Sequence, residues 1–110
     1  MKKTLTAIFA ILSCFIANAE TSIDKSNCTI TKNGNTYPLY GEVKIVDSFE
    51  DIKVKIVDSF EDVKIKLVDA FPDDCGKVKI VNSFEDVKVK IVDSFEDVKV
   101  KIVDAFPGTR

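Results

Sequence analysis

The chain has 110 residues, 16 Lys and Arg against 18 Asp and Glu, three cysteines and no histidine. Both charge signs are interspersed, which gives neither a basic footprint for nucleic acid nor a polybasic membrane patch. The lack of histidine excludes a Ser-His-Asp triad, a Cys-His dyad and ordinary zinc catalysis.

Met1 to Ala19 opens with Lys2 and Lys3, runs through the apolar stretch Leu5 to Ile16 and ends in Ala17-Asn18-Ala19. A positive start, a short apolar run and a small-x-small site define a secretory signal peptide, too short for a membrane span. Its style is bacterial, so the expected product is exported, either periplasmic or secreted. The alternative is a lipid anchor at Cys14 within Ile11-Leu12-Ser13-Cys14, where Leu12 is bulky for a lipidation box. Removing residues 1–19 leaves 14 basic and 18 acidic side chains, a formal charge of −4. At this size the chain makes one domain with a modest core.

Residues 20–42 divide in two. Glu20 to Asn27 reads as a flexible leader. Cys28 to Tyr40 reads as a hairpin turning at Asn33-Gly34, with Pro38 confining its second strand to an edge. Gly41 and Glu42 lead into the repeats.

Residues 43–110 form a repeat domain. VKIVDSFEDIK begins at Val43 and returns, with small changes, at Val54, Ile65, Val78, Val89 and Val100. The halves 43–72 and 78–107 align with 26 of 30 positions identical, and the linker 73–77 joins them. Such duplication predicts a pseudo-two-fold, and because three strands alone are marginal, the halves are expected to share one core.

Each unit predicts a strand. Ile52, Val54 and Ile56 alternate with Lys53 and Lys55, so one face is apolar and the other is mainly lysine. A helix would have to accommodate β-branched residues followed by Asp-Ser, which disfavour it. Strands are expected over Ile52–Val57, Val63–Val68, Val87–Val92 and Val98–Val103. The fold class is therefore all-β: six repeated short strands in two pseudo-two-fold halves, plus the N-terminal hairpin. The Ser-Phe-Glu-Asp connectors hold no Gly and no Asn-Gly, so tight hairpins are poorly supported and arches between non-neighbouring strands are expected. Phe49, Phe60, Phe84 and Phe95 of these connectors, with Phe71 and Phe106 closing the halves, are expected to fold inward as core aromatics; an exposed aromatic row is the rival reading. Lysines facing each other across strands repel, which predicts a stagger bringing them near Glu50-Asp51 or Glu61-Asp62.

Two cysteines remain beyond the leader. An even count in an exported chain predicts a Cys28–Cys75 disulfide with a structural role, since a redox pair would more often be Cys-x-x-Cys. No phosphate loop, dinucleotide fingerprint or EF-hand pattern occurs, and no cofactor is expected. The function expected is that of a non-enzymatic structural or interaction module of the bacterial envelope. Its partner would be an envelope or extracellular protein. The alternatives are a weak calcium site on Asp73-Asp74 or the acidic connectors, and a carboxylate-based hydrolase.

VKIVDSFEDVK repeated, with Val-Asp-Ala-Phe-Pro closing each half, resembles the septoil-knot domain family of small exported bacterial proteins over Tyr40 to Pro107. The resemblance implies a compact all-β domain whose backbone forms a seven-crossing torus knot. It implies no activity and no functional residues. Many such relatives carry Ser-Phe-Pro-Asp in the connectors, where this chain has Glu50, Glu61, Glu85 and Glu96.

Overall fold

The computed structural model describes residues 21–109, which form nine strands and no helix. The leader and lipidation readings at 1–19 lie outside the described residues. β1 (Thr21–Asp24), β2 (Thr29–Lys32) and β3 (Asn35–Pro38) make an antiparallel sheet in that order. Asn33 and Gly34 take φ of 54° and 86°, as a two-residue hairpin turn requires, and Pro38 lies on the edge strand. Within the segment expected to be a flexible leader, Thr21–Asp24 instead form strand β1. Ile23 pairs with Ile30, and Asp24 turns the chain by accepting hydrogen bonds from the Ser26 and Asn27 main chain and from the Asn27 side chain. Thr21 and Ile23 are half-buried while Ser22 and Asp24 are exposed, a four-residue alternation too brief to stand out among polar residues.

The repeats form β4 (Gly41–Ile45), β5 (Ile52–Ile56), β6 (Val63–Leu67), β7 (Lys77–Ile80), β8 (Val87–Ile91) and β9 (Val98–Ile102). All pair in parallel and close into a barrel in the order β4-β7-β6-β9-β5-β8. Strands of the first half alternate with strands of the second all the way round. Every ladder therefore joins one half to the other.

The register slips steadily around this ring. Val43–Ile45 of β4 pair with Val87–Val89 of β8, and Val89–Ile91 pair with Ile52–Val54 of β5. Each neighbour takes about half a strand, and the central inward residue is shared. A slip of this kind inclines the strands steeply to the barrel axis. Alternation sends Ile52, Val54 and Ile56 inward and Lys53 and Lys55 outward, and the other strands repeat the pattern.

Lysines do stand opposite one another, contrary to the expected stagger: Lys44 with Lys88, Lys53 with Lys90, Lys55 with Lys99, Lys64 with Lys101 and Lys66 with Lys77. Parity explains this. Any register that keeps valines facing inward pairs outward positions with each other, and nearly all of those are lysine. A one-residue slip would relieve the charge but turn the apolar face of a strand to water. Hydrophobic burial at about 1.5–3 kcal/mol per side chain outweighs exposed like-charge contacts of a few tenths.

The N-terminal sheet covers one end of the barrel. Cys28, Ile30 and Leu39 join the barrel valines in one core, with Ile23, Tyr37 and Tyr40 packed against it. Cys28 is bonded to Cys75 with Cα atoms 5.8 Å apart, which ties the sheet to the junction of the halves.

A peptide of residues 43–72 retains none of the ladders and should be unfolded. Far-UV circular dichroism of that half, at concentrations where the whole domain gives a β spectrum, is expected to show a disordered chain; a stable β signal from the monomeric half would contradict the interlaced arrangement.

Candidate functional site

The connectors are short because the strands are inclined. β4 and β5 flank β8, and the link between them is pinned at both ends to β8. Val46 N–H donates to the Val89 carbonyl at 2.9 Å and Asp51 N–H to the Lys88 carbonyl at 2.8 Å. Asp47 to Glu50 thus arch over the outer side of β8. The same two bonds carry the β5–β6 arch over β9, the β7–β8 arch over β4 and the β8–β9 arch over β5. The segment after β9 crosses β6 through Val103 and Gly108, and the β6–β7 connector starts across β7 through Val68. Each of the six barrel strands therefore carries one arch.

Four aspartates close these arches. The Asp51 carboxylate accepts the Lys88 N–H at 2.9 Å, while the Asp51 N–H donates to the carbonyl of that same lysine. Asp62 grips Lys99, Asp86 grips Glu42 and Asp97 grips Lys53 in the same two-point fashion. Gly41 stands beside the Asp86 grip because a Cβ there would lie 2.7 Å from the Asp86 carboxylate oxygen, and its φ is +116°. Sequence reasoning missed these four residues. Their signal is positional: each stands one residue before a strand.

Asp97 has a second task. Its carboxylate also accepts from Lys32 Nζ at 2.8 Å and Thr21 Oγ1 at 3.2 Å, which fastens β1 and β2 to the barrel. Burial works to raise its pKa. The Lys32 and Lys53 hydrogen bonds, the Lys32 charge and Thr21 outweigh that and hold it below the ordinary carboxylate value. Asp24 is also held low, chiefly by the Asn27 side chain.

The six phenylalanines point away from the core. Phe49, Phe60, Phe71, Phe84, Phe95 and Phe106 are 81–92% exposed, which corrects the expectation that they fill the barrel. The reason lies in the backbone. Each has φ between 56° and 60°, the left-handed region, and that turn at the crest of an arch directs the side chain outward. Val, Ile and Leu fill the interior without them. Left-handed backbone costs a residue with a Cβ roughly 1–2 kcal/mol and is normally given to Gly or Asn. An aromatic stands there six times, one over each strand.

The four gripping carboxylates are each committed to a main-chain N–H, and among the described residues no group of three His, Cys, Asp or Glu side chains converges. Among those residues, too, no helix is long and apolar enough to cross a membrane. Inside the barrel, along its axis, lies a cavity of about 120 Å³ lined almost wholly by apolar side chains. It runs from Ile30 and Leu39 at the covered end to Ile45, Ile56, Leu67, Ile80, Ile91 and Ile102 at the other. These last six are each 44–52% exposed and form a ring round the uncovered end.

A closed all-parallel barrel of two interlaced three-strand halves, joined by arches and tied at its seam by a disulfide, defines a small β domain built on duplication. The chain belongs to the septoil knot family: the 7(1) septoil knot domain matches residues 36–110. That span takes in the whole barrel and all of β3 but Asn35. Comparison with curated proteins found no match.

The grips and the aromatics differ in their expected effect on stability. Asp62→Ala strands a main-chain donor and should cost about 1–3 kcal/mol in urea unfolding. Phe60→Gly removes no core contact and relieves left-handed strain, so its unfolding free energy should stay within about 1 kcal/mol of the parent. A loss of about 3 kcal/mol at Phe60 would return it to the core.

Acid unfolding reports on Asp97. With its folded-state pKa depressed, its stabilising effect is full above the ordinary carboxylate value and disappears as pH falls through the depressed one. Asp97→Asn should therefore be less stable than the parent near neutrality, with the difference in unfolding free energy narrowing as pH is lowered towards about 2.

Proposed function

We propose that this protein is a non-enzymatic, multivalent interaction module of the bacterial envelope that holds a partner protein through its phenylalanine arches. The observation that carries this reading is the set of six phenylalanines, all exposed and all in left-handed backbone. Folding gains nothing from an aromatic at those positions and loses to strain. A binding surface gains a rigid apolar anchor, the side-chain class that dominates interface energetics.

Their placement bears on valence. One arch lies over each strand, so the aromatics are distributed round the barrel rather than gathered on one face. A flat partner can meet only neighbouring arches. Six equivalent tips thus favour a partner that wraps the barrel, or several partner copies held at once with the gain in avidity that linked weak contacts provide. Export is supported by the signal-like leader and by a disulfide, which persists in oxidising compartments.

Site-specific photocrosslinking in cells tests the reading. A photoreactive phenylalanine at position 60 or 95 is expected to give a discrete adduct with another envelope protein, and the same group at the outward wall position Lys55 is not. Replacing the other five phenylalanines by serine should reduce adduct yield roughly tenfold or more, as expected from lost avidity. Equal labelling from Lys55, or no adduct from either tip, would remove the proposal.

A further inference from the structure

Beside the seam between the halves lies an open cleft of about 660 Å³, a size usual for ligand sites. Its apolar surface comes from Tyr37 and Pro38 of β3, from Tyr40 and from Pro72, all half-buried. Its charged surface is that of Glu42, Asp73 and Asp86. Among the described residues the lining holds no lysine or arginine, and no ion pair engages any of the three. Glu42 stands opposite Lys79 in the β4–β7 ladder, whereas Asp73 and Asp86 are exposed and open to a partner.

The duplication shows what is particular to this place. Extending the alignment of the halves by one position at each flank pairs Glu42 with Lys77 and Asp73 with Gly108, while Asp86 corresponds to Asp51. The related place therefore has one cation and one carboxylate where the cleft has three carboxylates. The acidic set is built once, and it coincides with two tyrosines that lie outside the repeat. The barrel also shows how such a carboxylate takes an ammonium. Asp97 grips Lys53 as Asp86 grips Glu42, and the same Asp97 oxygen accepts Lys32 Nζ at 2.8 Å. We propose that the cleft binds a basic peptide segment of a partner protein, seating one lysine on Asp86 and another on Asp73. The aliphatic stems lie along the tyrosine and proline faces while the ammonium heads stay wet. Among the described residues these carboxylates do not converge as metal ligands would, which suits charges spaced along a chain rather than one ion.

NMR titration of the disulfide-bonded protein with acetyl-Lys-Ala-Lys-amide tests this. Saturable shifts are expected at Tyr37, Tyr40, Glu42 and Asp86, weakening as salt is raised. Acetyl-Glu-Ala-Glu-amide should bind roughly tenfold or more weakly, since like charges repel. The Asp73→Asn, Asp86→Asn double variant should lower affinity for the basic peptide roughly tenfold, and asparagine can still accept the Glu42 N–H. Asp51→Asn, the corresponding grip of the other half, should leave affinity unchanged. Should the double variant not fold, Asp73→Asn alone is expected to weaken binding roughly threefold. Equal binding of the acidic peptide, equal loss with Asp51→Asn, shifts that never saturate or that centre on the phenylalanine arches, or a tighter response to calcium chloride alone would overturn the proposal. So would concentration-dependent shifts at these residues without peptide, which would assign the cleft to a second copy of this chain.

Discussion

The structure depends on one constraint, the two-residue slip in register from each strand to the next. Because Val89 is shared between the ladders to β4 and β5, the end of β4 and the start of β5 reach the same level of β8. Parallel strands ordinarily need a crossover of a dozen or more residues. Here that shared level lets a short arch do the work. The slip also explains the interlacing. Consecutive strands must leave a gap for the strand they arch over, and the gap is filled by the other half. Strand incline, connector length and alternation of halves are three consequences of one register.

The Asp grips turn that geometry into a defined position. An arch of four residues contributes no ladder of its own and could slide along the strand beneath. Bonding N–H and carboxylate to the two main-chain groups of a single residue sets its landing point. At Asp97 the same carboxylate also receives Lys32 and Thr21, so the N-terminal sheet docks where the barrel is already gripped.

Much of this fold was legible from local pattern. Period-two alternation located four of the barrel strands, β5, β6, β8 and β9, to within a residue, Asn33-Gly34 marked the hairpin, cysteine parity indicated the bridge, and connectors without glycine pointed to arches. What the sequence concealed was set by closure. Parity forced lysine opposite lysine, a consequence visible only once inward faces must meet inward faces around a ring. The phenylalanines misled because an apolar residue in a polar connector ordinarily marks burial; here φ near +60° reverses the direction of the side chain, and nothing in Ser-Phe-Glu-Asp announces that φ. The ring at the uncovered end hid for the opposite reason, since its isoleucines continue the core pattern and differ only in lying beyond the reach of the cap.

The place where the repeat fails is informative. Five arches end in a grip: four on Asp, and the last on Gly108, whose N–H and carbonyl hold the two main-chain groups of Lys64. The connector into β7 has no such ending, because Lys77 N–H is satisfied within that connector by the Asp74 carbonyl. This is the seam between the halves, and the chain supplies other bonds there. Gly76 N–H donates to Leu39, Leu39 N–H donates to Cys28, and Cys28 is joined to Cys75. Gly76 is required as well as present: a Cβ would sit 2.5 Å from the Lys64 carbonyl and 2.6 Å from the Gly108 nitrogen, where the C-terminal strap passes. A covalent link across 47 positions restricts the unfolded chain by about 4 kcal/mol in the loop-entropy view. All six strands run parallel, so the pseudo-two-fold that relates the halves lies along the barrel axis and leaves its two ends distinct. The disulfide and the N-terminal sheet, both outside the repeat, lie at the end where the strands begin, and the aliphatic ring at the other end stays open to solvent.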